Sequence, residues 1–373
     1  MPPPGVLHLV SVLTMGGSER QMLALIGGLS PEKWRPFVGY VRRGTGDLMR
    51  GLEALGVDPW PVPLYGSLAR ANTFWQAVRL AWRCRREGIR IVHAHDLCSD
   101  VLAVLIARLA RLPCIASRRD LADWRSPHER RLMRFVERSA DRLLVNAQAV
   151  ADAAQADGTA PQRIWVAENG IDLAAFDAAA VRAPSPALPP DRGCSRIAMV
   201  GNMDRHLKGH RDLIAAAEAL ARSGRRIEWL LPSDGPLRAA FEAEARARDV
   251  DDCIHFLGRR SDIPSLLSRV DLVVHPSWSE GFPNAVLEAM SAARPVVATR
   301  VGACASLIED GVNGRLVPPR DPQALAASVA GLLDDPAART AMGRAARRRV
   351  ERSFTLDRMA RRVETLYETM VRE

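Results

Sequence analysis

Lysine is almost missing from this 373-residue chain. It occurs only at positions 33 and 208, so nearly all of the 52 cationic side chains are arginine. Against 43 acidic residues they leave a net charge of +9. An excess of that size implies an anionic partner: nucleotide phosphates, anionic lipid or nucleic acid. Aromatic residues make up only 5%, too few for the stacking platforms of a nucleic-acid-binding surface, and no RNA- or DNA-binding module is visible. An Arg-rich nucleic-acid-binding protein is thus a rival reading that lacks its usual features, and no nucleic-acid partner is expected. Nowhere do apolar residues approach 18 in a row, so no membrane-spanning helix is expected. The start, Met1-Pro2-Pro3-Pro4-Gly5, has neither a basic segment nor a cleavage pattern before the apolar run at 6–12, which argues against a signal peptide. Six scattered cysteines show no paired spacing. That counts against a disulfide scaffold or a zinc site and favours reduced, mostly buried thiols in a cytoplasmic protein. Missing too are G-x-G-x-x-G and G-x-x-x-x-G-K-[ST], against a dinucleotide enzyme and an NTPase.

What is present is a 47% apolar fraction, ample for burial, in a chain too long for one core. Short apolar runs alternate with amphipathic stretches. Strands are expected at 6–12, 37–41, 91–94, 114–117, 142–145 and 164–166, and helices at 18–29, 72–87, 100–111, 127–139 and 147–157. Such alternation predicts a parallel, doubly wound sheet. It breaks over 173–195, an Ala/Pro-rich stretch with Pro184, Pro186, Pro189 and Pro190 that reads as a linker. It then restarts, with strands at 196–200, 227–231, 254–257, 272–275, 295–298 and 314–317, helices at 208–222, 236–248, 284–293 and 322–334, and an Arg-rich helical region at 338–372. The expected division is 1–172 as a first Rossmann-like domain, 173–195 as linker, 196–352 as a second, and 353–373 as a helix returning to the first. Sheets of this type bind ligands at their strand C-termini, which would surround one cleft.

The most informative segment runs from His275 through Pro276, Ser277, Trp278, Glu280, Gly281, Phe282, Pro283 and Asn284 to Glu288. It follows a strand and opens a helix. Gly281 permits a tight turn and Pro283 suits a first helical turn. Free amides at that helix start favour an anion, and a carboxylate at Glu288 can accept hydrogen bonds from a ribose diol. A second loop, between a strand and a helix, carries Gly201, Asn202, Arg205, Lys208 and Gly209. Cations beside a helix N-terminus can clamp an anion such as a diphosphate, and one of the two lysines stands there. A third loop, Thr14-Met15-Gly16-Gly17, lets backbone approach a ligand ahead of the first helix.

Together these segments resemble the E-x7-E family of retaining glycosyltransferases with the GT-B fold, often called family 4. The likeness is strong over 196–335 and weaker but continuous over 5–175. It implies that Glu280 faces the donor sugar and that Glu288 binds the nucleotide ribose of a UDP, GDP or ADP sugar. Lys208 matches the family's diphosphate-binding lysine. Asn202 stands where the family has arginine, and Arg205 is the candidate substitute. Phe256, Gly258 and Arg259 resemble the strand end against the nucleobase, Asp234-Gly235-Pro236 a turn at the cleft, and Asn169-Gly170-Ile171-Asp172 a segment near the hinge. Gly16 and Gly17 match a cleft-facing Gly-Gly loop.

Where many members carry histidine near the sugar, this chain has Ser117-Arg118-Arg119-Asp120. Arg119 or Asp120 is then the candidate polar group, with His95 as a cleft residue and His93 equally well a buried structural one. Asp249-Val250-Asp251 is formally D-x-D, but its place between a helix and a strand reads as a polar turn, so neither metal nor cofactor is expected. The implied acceptor is a saccharide or a lipid-linked sugar of bacterial envelope synthesis. The implied location is cytoplasmic, at or near the inner membrane's cytoplasmic face. A GT-B nucleotide-sugar epimerase is the enzymatic alternative. Finally, in the helix starting near Pro127, Leu132, Phe135 and Val136 form an apolar stripe, with Arg130, Arg131, Arg134 and Arg138 around it. Either the stripe packs on the sheet and the arginines are solvated, or the basic face docks on anionic phospholipid.

Overall fold

The computed structural model describes residues 2–13, 16–42, 44, 47–64, 71–182, 184, 186–190 and 192–372. Thr14 and Met15 of the Gly-Gly loop lie outside the described residues. The chain divides into two compact units, Met1–Gly170 with Leu356–Glu373, and Ile171–Thr355.

The first unit is built on strands β1 (Gly5–Val12), β2 (Arg35–Arg42), β3 (Trp60–Pro61), β4 (Ile89–Ala94), β5 (Cys114–Arg118), β6 (Arg142–Val145) and β7 (Ile164–Val166). All pair in parallel, in the order β3-β2-β1-β4-β5-β6-β7. The order reverses between β1 and β4, where His8 stands opposite His93. Six helices connect them: α1 (Gly17–Gly28), α2 (Asp47–Ala54), α3 (Ala71–Arg86), α4 (Leu97–Ala110), α5 (Pro127–Ser139) and α6 (Gln148–Ala156). The first six residues of β1 are buried, as a central strand covered on both faces requires. Two-residue β3 is too short to leave a periodic signal, and its Pro61 fits a sheet edge.

Local chemistry sets the helix starts. Ser126 and Glu129 form a capping box ahead of Pro127, so α5 begins where its sequence says. In α4 the Asp96 carboxylate accepts from the Cys98 and Ser99 amides, both at 3.1 Å. That cap starts the helix three residues before the expected position 100.

The second unit contains α7 (Leu173–Ala180), β8 (Ser195–Ala198), α8 (His210–Arg222), β9 (Ile227–Leu231), α9 (Arg238–Ala247), β10 (Ile254–Phe256), α10 (Ile263–Leu267), β11 (Leu272–His275), α11 (Asn284–Ser291), β12 (Val296–Thr299), α12 (Cys304–Leu307), β13 (Arg315–Val317), α13 (Pro322–Asp334) and α14 (Pro336–Ser353). Its parallel sheet runs β10-β9-β8-β11-β12-β13, reversing between β8 and β11. Residues 173–180, read above as linker, are helical. Asp172 caps them by accepting from the Ala175 amide at 3.0 Å, and Phe176 is buried.

The Arg-rich C-terminal region is two helices. The second, α15 (Leu356–Arg372), belongs to the first unit and packs on α1 and β4. Met359, Val363, Leu366, Tyr367 and Met370 enter its core. Both units thus have the doubly wound parallel sheet that the alternation predicts. No helix among the described residues is long and apolar enough to cross a membrane.

Candidate active site

In the second unit the loops after β8 and β11, neighbours at the strand-order reversal, interlock. The Trp278 amide donates to the Leu207 carbonyl at 2.7 Å, and the Trp278 indole donates to Asp212 at 2.6 Å. Gly209 has φ +74°, and a Cβ there would overlap the Pro276 carbonyl. Only glycine permits both the left-handed conformation and the close approach. The interlock brings Lys208 to Glu280, 72 positions away in sequence, with Nζ donating to Oε1 at 2.7 Å. His275 Nε2 lies 2.9 Å from the same oxygen and Ser277 Oγ donates to it at 2.7 Å. Thr299 in turn donates to the Ser277 carbonyl. Beneath the loop Gly302, at φ +47°, leaves no room for a Cβ against the Glu280 carbonyl, and the Ala303 amide donates to Gly281 at 3.0 Å.

Burial by itself would raise the Glu280 carboxyl. The Lys208 charge and the His275 contact outweigh it and hold the group well below the usual carboxylate range. Glu280 is therefore a buried, fully ionised carboxylate with three donors on Oε1. Sequence reasoning singled out Glu280 and Lys208 but gave His275 and Ser277 no role. The one available signal was their place at a strand end, two residues apart and five and three residues before the glutamate. Glu288 is half-buried in the second turn of α11. Phe282 is buried against Phe354, ring centroids 6.0 Å apart, so its side chain serves the core. Gly281 and Pro283 are buried as well, and Asn284 opens α11.

Asn202 and Arg205 are exposed on the Lys208 loop. The 232–236 turn abuts that loop, since the Met203 amide donates to Asp234 at 3.1 Å and the Leu237 amide to Met203 at 3.0 Å. Phe256 and Gly258 are half-buried at the end of β10, with Arg259 exposed. Arg260 beside it is buried on Asp262 at 2.6 Å. Asp249 sits at φ +56° and Asp251 is exposed, a turn between α9 and β10.

In the first unit, Gly16 caps α1 and Gly17 opens it. Behind them lies a buried network. Arg119 Nη2 donates to His95 Nδ1 at 3.2 Å. That places the His95 proton on Nε2, which lies 3.0 Å from His8 Nδ1. His8 then carries its own proton on Nε2, a buried atom with no partner. His93 is held between the Tyr367 hydroxyl at 2.7 Å and Ser117 Oγ at 3.0 Å. Burial pushes all three imidazoles below their ordinary value, so they are neutral. The ligand atoms of these histidines lie within 4.8 Å of one another. Most of their ring nitrogens are already engaged, and a guanidinium adjoins the group, so the set reads as a hydrogen-bonded network and not a dication site. His95, expected as a cleft residue, is thus turned inward.

Asp120 accepts from the Ala122 amide at 3.0 Å and from Arg125 at 3.2 Å, a local turn. Arg118, given no role in the sequence, is buried and paired with Asp157 at 2.9 Å and Glu137 at 3.6 Å. The apolar stripe read on α5 needs correction. Met133, Val136 and Glu137 are buried, while Leu132 and Phe135 face solvent. The helix is rolled by about one residue, roughly 100°, because Glu137 turns in toward Arg118.

The family description "Glycosyl transferases group 1" matches residues 194–335, and "Glycosyltransferase Family 4" matches 15–175. The chain is 29% identical over 289 residues to a glycogen synthase of Mycobacterium tuberculosis, covering 74% of this chain and 68% of that one. It is 30% identical over 312 residues to a D-inositol 3-phosphate glycosyltransferase of Corynebacterium urealyticum, covering 77% and 73%. Among solved structures its fold is similar to that of Anabaena HepE in complex with UDP and glucose, with TM-score 0.83 and 20% identity over 98% of this chain and 100% of that one.

Proposed function

This chain belongs to the family-4, group 1 glycosyltransferases, and on that premise we propose how its residues divide the work. The enzyme moves a sugar from a nucleoside-diphosphate sugar to a saccharide or lipid-linked acceptor, with anomeric configuration retained and no metal ion. The observation that carries this reading is the buried, ionised Glu280 held against Lys208, beside the opening of α11. Glu280 Oε2, which none of the three described bonds uses, accepts from a donor-sugar hydroxyl. Lys208 is 30% exposed, so its ammonium can turn from Glu280 to the diphosphate without leaving its loop. Arg205, exposed on that loop, and the first amides of α11 add positive potential where leaving-group charge develops. Glu288 takes the ribose hydroxyls. Retention follows if the acceptor attacks from the leaving-group side and the departing diphosphate takes its proton.

UDP-glucose is the first donor to test, because HepE was solved with UDP and glucose. The cellular setting is the cytoplasmic side of the inner membrane, in envelope polysaccharide or glycolipid synthesis. Calorimetric titration of the full chain with UDP-, GDP- and ADP-sugars identifies the nucleotide, with a short oligonucleotide as control. With the donor known, Glu288→Ala should raise donor KM with little change in kcat. Lys208→Ala should lower kcat by about 100-fold or more, the cost of losing one donor to developing charge. Normal turnover by the Lys208 variant would remove its assigned role.

A further inference from the structure

The outer helical layer of the first unit carries a surface that the Glu280 site does not use. Helix α4 packs between α3 and α5, so the three lie side by side over one face of the sheet. On α3, Trp75, Arg79, Trp82 and Arg86 follow at i, i+4, i+7 and i+11, and all four are exposed. That spacing puts two tryptophans and two arginines on one stripe. The opposite side of the helix, with Ala77, Leu80, Ala81 and Cys84, is buried. Phe74 lies beside Trp75 with ring centroids 6.3 Å apart, and the Arg86 guanidinium sits 5.2 Å over the Trp82 ring. No acidic residue occurs in α3.

The surface continues across the layer. Helix α4 turns half-buried Val101, Val104 and Leu105, with exposed Arg108, toward solvent. Helix α5 adds Leu132 and Phe135, flanked by exposed Arg131 and Arg138. Trp75 is 67% exposed, Trp82 61%, Phe74 52% and Phe135 66%. Nine large apolar side chains among the described residues are at least 36% exposed, and five of them lie on α3 and α5. Scattered singly they would need no explanation, but a concentrated apolar patch interleaved with charge of one sign marks an interaction surface. Tryptophan favours the boundary between water and lipid tails, where its ring is buried and its N–H stays wet. Arginine stems lie along apolar surface while their heads reach lipid phosphates. Two acids near the patch are already engaged, Glu87 with Arg86 at 3.0 Å and Glu129 in the α5 cap.

We propose that the α3–α4–α5 layer is a docking face for a bilayer rich in anionic phospholipid. Trp75, Trp82, Phe74 and Phe135 enter the headgroup–acyl boundary, and Arg79, Arg86, Arg131 and Arg138 meet the phosphates. This deepens the reading of a lipid-linked acceptor, but its test does not pass through sugar transfer.

The test is co-sedimentation of the full chain with phosphatidylcholine vesicles, with and without phosphatidylglycerol, at low and high salt. Two variants accompany it, Trp75→Gln with Trp82→Gln, and Arg79→Glu with Arg86→Glu. All four positions are solvent-exposed, and matching urea midpoints would establish that both variants fold. The wild type should bind phosphatidylglycerol vesicles at least about tenfold more tightly than neutral ones at low salt, weakening as salt rises. Both variants should lose at least about tenfold, and the wild-type tryptophan emission should shift to the blue on binding while that of the tryptophan variant does not. Four results would each overturn the docking face: no sedimentation, binding indifferent to lipid charge, binding retained by both variants, or a concentration-dependent dimer that the tryptophan variant abolishes. UDP binding, measured in parallel, separates the two readings. A wild type that binds nucleotide sugar but no vesicles counts against the docking face alone. A chain that docks but binds no nucleotide sugar counts against the transferase assignments alone.

Discussion

Lys208→Met keeps the aliphatic stem of the side chain and removes its charge. The Glu280 carboxylate then stays buried with only His275 and Ser277 as partners. In the wild-type protein its folded value lies below the ordinary 4.5. The stability it contributes is therefore fully present above about pH 4.5 and is lost as pH falls through the lowered value. Without Lys208 the carboxyl moves up. The variant therefore gains less stability than the wild type as pH rises past about 4.5. The destabilisation caused by Lys208→Met should accordingly be larger at pH 7 than at pH 4.5. Breaking a fully buried pair costs about 3–5 kcal/mol. Lys208 is 30% exposed, and a hydrogen bond to a charged group contributes about 1.5–3 kcal/mol, so about 2 kcal/mol is expected at pH 7. For a unit of this size that is a fall in Tm of about 4–8 °C. Scanning calorimetry reads the change. A double-mutant cycle with Glu280→Gln isolates the pair and should give a coupling of about 1.5–3 kcal/mol. Coupling below about 0.5 kcal/mol at pH 7, or equal destabilisation at both pH values, would refute the argument that this ion pair holds the buried carboxylate.

Two further outcomes follow from local geometry and burial. Gly302→Ala forces a Cβ against the Glu280 carbonyl at φ +47° and should cost about 3 kcal/mol or more, whereas Gly331→Ala in α13, where a Cβ meets nothing, should gain about 0.5–1 kcal/mol. Equal Tm values for these two variants would contradict the steric account. Burial pushes the Glu137 carboxyl up to about 7, against the opposing pull of Arg118, so the first unit should lose stability as pH rises from about 4.5 to 7 and level off above. Glu137→Gln should flatten that slope, and urea midpoints across the range that leave it unchanged would assign it to another group.

Much of the architecture was legible in the chain itself. Alternating apolar runs and amphipathic stretches dictate parallel sheets, because each half-buried helix needs a sheet to cover. Capping chemistry is local, so Ser126-Pro127 and Glu129 set the start of α5 without tertiary help. The strand–loop–helix from His275 to Glu288 was visible for the same reason, since turn glycine, proline and carboxylates are sequence neighbours. Short elements such as β3, α10 and α12 were not visible. Two to five residues hold too little of a period to read, and tertiary packing stabilises them.

The tertiary structure alone decided the electrostatics of the site. Glu280 and Lys208 meet because two loops interlock through Gly209, Gly302 and Trp278, and the Lys208 charge with the His275 contact, outweighing burial, makes the carboxylate unusually acidic. It also decided which way the surface helices face. In α5, apolar residues at 132, 133, 135 and 136 allow two overlapping stripes, and propensity does not choose between them. The Arg118–Glu137 contact does, turning Met133 and Val136 inward and leaving Leu132 and Phe135 outside. Likewise, sequence shows that Trp75 and Trp82 share one helical face with two arginines. That this face points away from the sheet depends on Ala77, Leu80, Ala81 and Cys84 finding a core on the other side.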